Sequence, residues 1–242
     1  MYISSCFLVA GGLFVCRTCT TIRWATVGLC QVSGKVGDPV RRLRQVLMKG
    51  TGKIWVGTTS TGELMQGFIF KDFLEFANKR LGNAVVDQAV AQCQLQSRGV
   101  YSTRQQYSPQ ELVTLLGEIS RQTGHSTSEL LQTYGQWLFK TLVNLPLPQS
   151  EFDDSFGFLA AVEEGFHKEI RELFPQANLP RLHCERLGPH EMTFEYQSPL
   201  GLADLAEGLL QGCFLHFEEQ VSISRESLGA GGTHVRFHLK RS

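Results

Sequence analysis

From residue 65 onward, apolar positions recur at intervals that predict a run of helices. "FIFKDFLEFANKRLG" sets Ile69, Phe73 and Phe76, with Phe70 and Leu74 beside them, at helical spacing, and Gly82 supplies the stop. "NAVVDQAVAQCQL" gives a second, shorter helix. "YSPQELVTLLGEISRQTG" carries Ser108 as cap, Pro109 in the first position, Glu111 at the capping-box place and Gly124 beyond the end. "STSELLQTYGQWLFKTLV" repeats the device with Ser126 and Glu129, and residues 152–174 give a further helix closed by Pro175. After Pro180 the period changes from 3.6 to 2. "RLHCERL", "HEMTFEYQ", "VSISRESL" and "THVRFHLK" alternate as strands, and "GLADLAEGLLQGCFLHFEE" is a helix set between the second and third. Helices first and an antiparallel sheet with one inserted helix afterwards make the fold class α+β.

The first 64 residues lack that order. They hold 8 Lys and Arg against 2 Asp and Glu; the rest of the chain holds 15 against 21, so +6 and −6 cancel to the formal net charge of zero. They also hold four of the seven cysteines, while Cys93, Cys184 and Cys213 lie far apart. The pair in "CRTC" has Thr20 where haem attachment would need histidine, and no second close pair completes a zinc knuckle. One folded domain with an extension is therefore expected. Residues 1–64 form a poorly ordered basic extension, read from a start codon upstream of the true one (Met48 or, preferably, Met65), with a targeting or metal-binding arm as the alternative. Residues 65–242 form the folded domain. Its mildly acidic balance argues against nucleic acid. No apolar run approaches the ~20 residues of a membrane span, and scattered cysteines suit the cytoplasm.

The helix over residues 152–174 carries the most informative chemistry. Phe156, Leu159, Ala160, Val162, Phe166, Ile170, Leu173 and Phe174 fill one broad arc, and His167 falls inside it. Such a histidine is either a hydrogen-bonded core residue or a ligand presented to an apolar pocket, and the pattern alone leaves both open. Glu163 falls in the same arc, and the pattern gives no reason for it. Downstream, "FEYQSPLGL" puts Tyr196 and Ser198 two apart at a strand end, so their hydroxyls share one side. They serve either to hold a carboxylate or as the plain end of a strand before the turn at Pro199.

Residues 65 to about 239 resemble the haem-nitric-oxide/oxygen-binding (H-NOX, or HNOB) domains related to the sensor part of soluble guanylate cyclase. The stretches that carry the resemblance are "MQGFIF", "GVYSTRQQYSPQELVTLLGEIS", "ELLQTYGQWLF", "FHKEIRELFPQANLPRLHCERLGPHEMTFEYQSPLGL" and "AEGLLQG". The resemblance implies haem b in a pocket between the helices and the sheet, with His167 as the ligand to iron and Pro180 as the proline packed against the ring. It implies a propionate clamp of the form Tyr-x-Ser-x-Arg, which here reads Tyr196, Ser198 and Leu200. A leucine cannot offer the guanidinium's bidentate fork to a carboxylate, so haem is held less firmly unless Arg181 or Arg186 substitutes.

On the opposite face, relatives that hold oxygen use a tyrosine nine positions after the clamp tyrosine. Leu205 stands there, and Ile69, Phe70, Phe73, Leu142 and Leu209 are apolar as well. The implied ligands are nitric oxide and carbon monoxide, without a stable oxygen complex. The zinc of some relatives is not expected, since residues 223–241 contain no cysteine. The implied function is a non-enzymatic nitric oxide sensor, with no catalytic motif of its own. By analogy with bacterial relatives, it would signal to a separate histidine kinase or cyclic-dinucleotide enzyme. The alternative is a haem-free adaptor that keeps the fold.

Overall fold

Phe70, Phe73, Phe76 and Ala77 are all buried on one side of the first helix, as their spacing predicts. The computed structural model describes residues 64–144, 152–168, 171 and 178–242. The expectation for residues 1–64 therefore lies outside the described residues, Leu64 apart.

A strand of two residues, β1 (Met65–Gln66), pairs antiparallel with β2 (Gln106–Tyr107). This small ribbon has too few residues to leave a period in the sequence. Helix α1 (Gly67–Leu81) starts directly from β1, where a Cβ on Gly67 would lie 2.1 Å from the Ser102 carbonyl oxygen. Only glycine fits so close a backbone approach. Gly82, at φ 96°, ends α1 as expected, and α2 (Asn83–Gln92) follows.

Helix α3 (Pro109–Thr123) begins at Ser108, whose Oγ accepts the Gln110 N–H at 3.3 Å, and ends at Gly124 in the left-handed region. Glu111, however, does not close a capping box. It turns away to accept from the Tyr101 hydroxyl (2.8 Å), the Ser97 N–H (3.1 Å) and the Ser97 hydroxyl, fastening the loop that precedes α3. Helix α4 (Thr127–Val143) has the full reciprocal box: the Ser126 Oγ accepts the Glu129 N–H at 3.2 Å, and Glu129 accepts the Ser126 N–H at 2.8 Å.

The next helix differs from the continuous one over residues 152–174. It starts later, as α5 (Ser155–Ala161), because the Asp154 carboxylate accepts the Gly157 N–H at 2.6 Å and caps it. It then changes winding at Val162, and Val162–His167 form a π turn. A periodic pattern averaged over many residues does not register one inserted residue.

The strands β3 (Arg181–Arg186), β4 (Glu191–Gln197), β5 (Val221–Ser227) and β6 (His234–Arg241) form an antiparallel sheet in the order β3-β4-β6-β5. Met192, Phe194 and Tyr196 of β4 and Val235, Phe237 and Leu239 of β6 are buried on one face. Glu195, His234 and Arg236 make the opposite face polar, with His234 Nε2 2.7 Å and Arg236 Nη2 3.1 Å from Glu195.

Helix α6 (Ala203–His216) links β4 to β5 and packs against α4. A Cβ on Gly208 would meet the Gln132 carbonyl oxygen at 2.2 Å, and one on Gly135 would meet the Leu205 carbonyl oxygen at 2.5 Å. The two helix backbones approach through glycine. Phe73, Tyr134, Leu159, Tyr196, Leu205 and Phe237 belong to one hydrophobic core shared by the helices and the sheet. Among the described residues, no helix is long and apolar enough to cross a membrane.

Candidate functional site

His167 closes the π turn with only 8% of its surface exposed. Its Nδ1 lies 2.9 Å from the Glu163 Oε2. The same oxygen accepts the Leu182 N–H from β3 at 3.3 Å, and the Arg171 guanidinium lies 2.6 Å from the other carboxylate oxygen. Glu163 is therefore fixed from three sides. An acidic residue inside an apolar arc finds its reason here: its partners are the histidine one turn on and the edge of the sheet.

The electrostatics follow from this arrangement. Burial lowers the affinity of His167 for a second proton, against the opposing pull of Glu163, and the balance falls below the ordinary histidine value. For Glu163, burial alone would raise the pKa. The hydrogen bonds and charges of His167 and Arg171 outweigh it and hold the carboxyl below its usual range. A neutral ring bonded through Nδ1 to a carboxylate carries its proton on Nδ1 and its lone pair on Nε2. That is the form in which histidine binds a metal, with the second nitrogen anchored to an acceptor.

Tyr196 and Ser198 stand at the end of β4, both buried. The Leu202 N–H donates to the Tyr196 Oη at 3.2 Å, and the Leu200 N–H donates to the Ser198 Oγ at 3.3 Å. Each hydroxyl is thus positioned by an N–H of the turn that follows. Burial raises the Tyr196 pKa, so the phenol keeps its proton. Leu200 is half-buried and packs against the core, with no polar group to add.

The two arginines proposed to replace the missing guanidinium are placed differently. Arg186 lies 3.2 Å from Asp154 and over the ring of Phe156, which commits it to the start of α5. Arg181 is exposed and borders an open cleft of about 420 Å³, also lined by Ser198, Asn178 and His234. Pro180 precedes β3, half-buried.

Of the residues expected on the opposite wall, Phe73 and Leu205 are buried, while Ile69, Leu142 and Leu209 are half-buried and packed against the same core. The Ile69 carbonyl accepts the Tyr134 hydroxyl at 2.8 Å. Close by on α1, Asp72 is buried and accepts the Thr141 hydroxyl at 3.0 Å; burial raises its pKa. The sequence reading passed over Asp72, although its phase, three residues after Ile69 and four before Phe76, puts an acid on the apolar stripe.

Among the described residues, the thiols of Cys93, Cys184 and Cys213 are all held in the protonated form by burial, which raises each pKa. Cys184 donates to the Leu159 carbonyl at 3.4 Å, and burial pushes its thiol up to about 12. Cys213 is fully buried, and His216, three residues on, meets Phe139 at a tilt and Phe217 edge-on.

The donor set fits an iron porphyrin on the imidazole side: one buried neutral histidine with its tautomer fixed, in a molecule whose expected pocket residues are apolar. At the carboxylate end it offers two positioned hydroxyls but no guanidinium at residue 200.

Comparison with known proteins agrees with the family resemblance. The profile of the family described as haem-NO-binding matches residues 66–225. Among solved structures, the Fe(II) unliganded H-NOX protein of K. algicida is similar at 30% identity with a TM-score of 0.69, over 74% of this chain and 97% of that one. The H-NOX of Shewanella woodyi, solved in the Fe(II)CO state with IWP-051 bound, is 34% identical with a TM-score of 0.63, over 74% and 95%. The H-NOX of S. oneidensis in the Fe(II)NO state shares the fold at 23% identity and a TM-score of 0.67, over 74% and 99%. No curated protein matches the chain.

Proposed function

Since the chain belongs to the haem-NO-binding (H-NOX) family, we propose that it is a haem-based nitric oxide sensor, itself non-catalytic, that acts in the cytoplasm on a separate partner. The observation that carries this reading is the buried His167, whose Nδ1 lies 2.9 Å from the Glu163 carboxylate. His167 would hold the iron of haem b. Pro180 would pack against the ring, and Ile69, Phe73, Leu142, Leu205 and Leu209 would form the apolar walls. The hydroxyls of Tyr196 and Ser198 would donate to a propionate, with Arg181, which borders the same cleft as Ser198, as a candidate cation.

Bound haem supplies an iron that takes up a diatomic ligand. What the protein contributes is a wall that favours nitric oxide and carbon monoxide, and a histidine whose hold is felt by its own helix. His167 ends the π turn, and Glu163 ties that turn to β3. A change in the hold on His167 therefore reaches both elements, which is the two-state coupling a signal needs. The partner would be a histidine kinase or a cyclic-dinucleotide enzyme.

The test is an absorption spectrum of the purified and haem-reconstituted protein, with and without nitric oxide. A Soret band near one haem per chain that shifts with nitric oxide is expected. Leu200 favours a second reading, a haem-free adaptor, and protein that stays colourless after reconstitution would decide for it.

A further inference from the structure

The carboxylate behind His167 is built into the fold more firmly than a structural tie requires. Glu163 shares one oxygen between the ring Nδ1 (2.9 Å) and the Leu182 N–H (3.3 Å), and gives the other to Arg171 (2.6 Å). The His167 and Glu163 side chains retain only 10% and 28% of their exposure, so water screens the pair little. We infer that Glu163 is the positioning residue that sets the donor strength of His167, and that Arg171 tempers it. This rests on the reading of His167 as the axial ligand.

The physical reason is charge. A ring whose Nδ1–H points at a full carboxylate gains electron density at Nε2, where a neutral carbonyl acceptor would give less. A stronger donor stabilises the higher oxidation state of the metal it binds and resists being pulled off. Arg171 draws part of the carboxylate's charge away from the ring, so the pair forms an adjustable push. Loss of Glu163 charge weakens the push, and loss of Arg171 strengthens it. A role limited to holding the π turn against β3 predicts otherwise: either loss would loosen the same contact and move every property the same way.

The experiment compares the full chain, haem-loaded, with Glu163→Gln and Arg171→Gln. The iron–histidine stretching band of the ferrous form is read by resonance Raman spectroscopy, together with the midpoint potential. Glu163→Gln should lower the stretching frequency and move the potential positive, while Arg171→Gln should raise the frequency and move the potential negative. Shifts of the same sign, or none in protein that holds haem, would overturn the inference and leave the haem reading standing. If Glu163→Gln does not fold, Arg171→Gln decides alone: a lowered or unmoved band refutes the tempering role. Should the unmodified protein take up no haem at all, the haem reading fails, and this inference with it.

Discussion

Two residues test the site most directly. Replacing His167 by glycine removes the one described imidazole that is buried. The expected result is loss of the Soret band on gel filtration, with recovery when free imidazole is added, because a cavity of the right shape remains. A normal spectrum from the variant would move the ligand elsewhere, His125 and His183 being next to examine. The second test concerns Leu205. Bound oxygen carries partial negative charge, and a buried wall without a donor leaves that charge unpaired at a cost of about 1–3 kcal/mol. Leu205 is buried, and Ile69, Phe73, Leu142 and Leu209 add no polar side chain. The ferrous protein in air should give no long-lived oxy spectrum, while Leu205→Tyr should slow oxygen loss by about tenfold or more, one hydrogen bond's worth. A stable oxy spectrum from the unmodified protein would reveal a donor that these side chains do not supply.

Between elements, the crossing of α4 and α6 is a tight constraint. An added methyl at Gly208 would meet the backbone at Gln132, which cannot swing aside as a side chain can. Gly208→Ala should therefore cost about 1–3 kcal/mol in urea unfolding; an unchanged midpoint would mean that the helices part easily. Because α6 also carries Leu205 and Leu209, the same variant should disturb the pocket wall. The elements themselves were largely legible beforehand. Ser126 with Glu129 marks a helix start through local chemistry, and the alternation of Met192, Phe194 and Tyr196 marks a strand with one buried face. Glu111 was not legible in the same way: its position suits a cap, but Tyr101 and Ser97 compete for it from an earlier loop. The site was half legible. His167 and Tyr196 stand out by type and phase. The purpose of Glu163 depends on its contacts with Leu182, nineteen residues away on β3, and with Arg171, and a helical wheel shows neither contact.

Over the whole molecule, Asp154 joins parts far apart in sequence. It caps α5 and lies 3.2 Å from both Arg241 of β6 and Arg186 of β3. Burial raises its pKa, but the Gly157 N–H and the two arginines outweigh burial and hold it below the ordinary 3.8. A group with a lowered folded pKa stabilises above its unfolded value and loses that contribution as pH falls through the folded one. Asp154→Ala should thus cost about 1 kcal/mol at pH 7, the usual value of a lost cap, and the gap should close on acidification below about pH 3.8. A gap that persists at pH 2 would assign the cost to packing. A chain beginning at Met65 should melt cooperatively and bind whatever the full chain binds, since the capped helices and the sheet all lie beyond that residue; an insoluble product would show that residues 1–64 contribute to the fold.

The winding at Val162–His167 carries a consequence of length rather than chemistry. A π turn is an α-helix with one amino acid too many threaded into it. The stretch can therefore lose a residue and still span the same path, its surplus absorbed as ordinary α winding. Deleting one residue within Val162–His167 should then leave the ring's direction nearly unchanged, because α winding with one residue fewer sweeps about the same angle as the π turn does. Which way the histidine points is in this sense a matter of counting: the surplus residue lets this turn absorb a deletion that, in an unbroken α-helix, would re-aim the ring by about 100°.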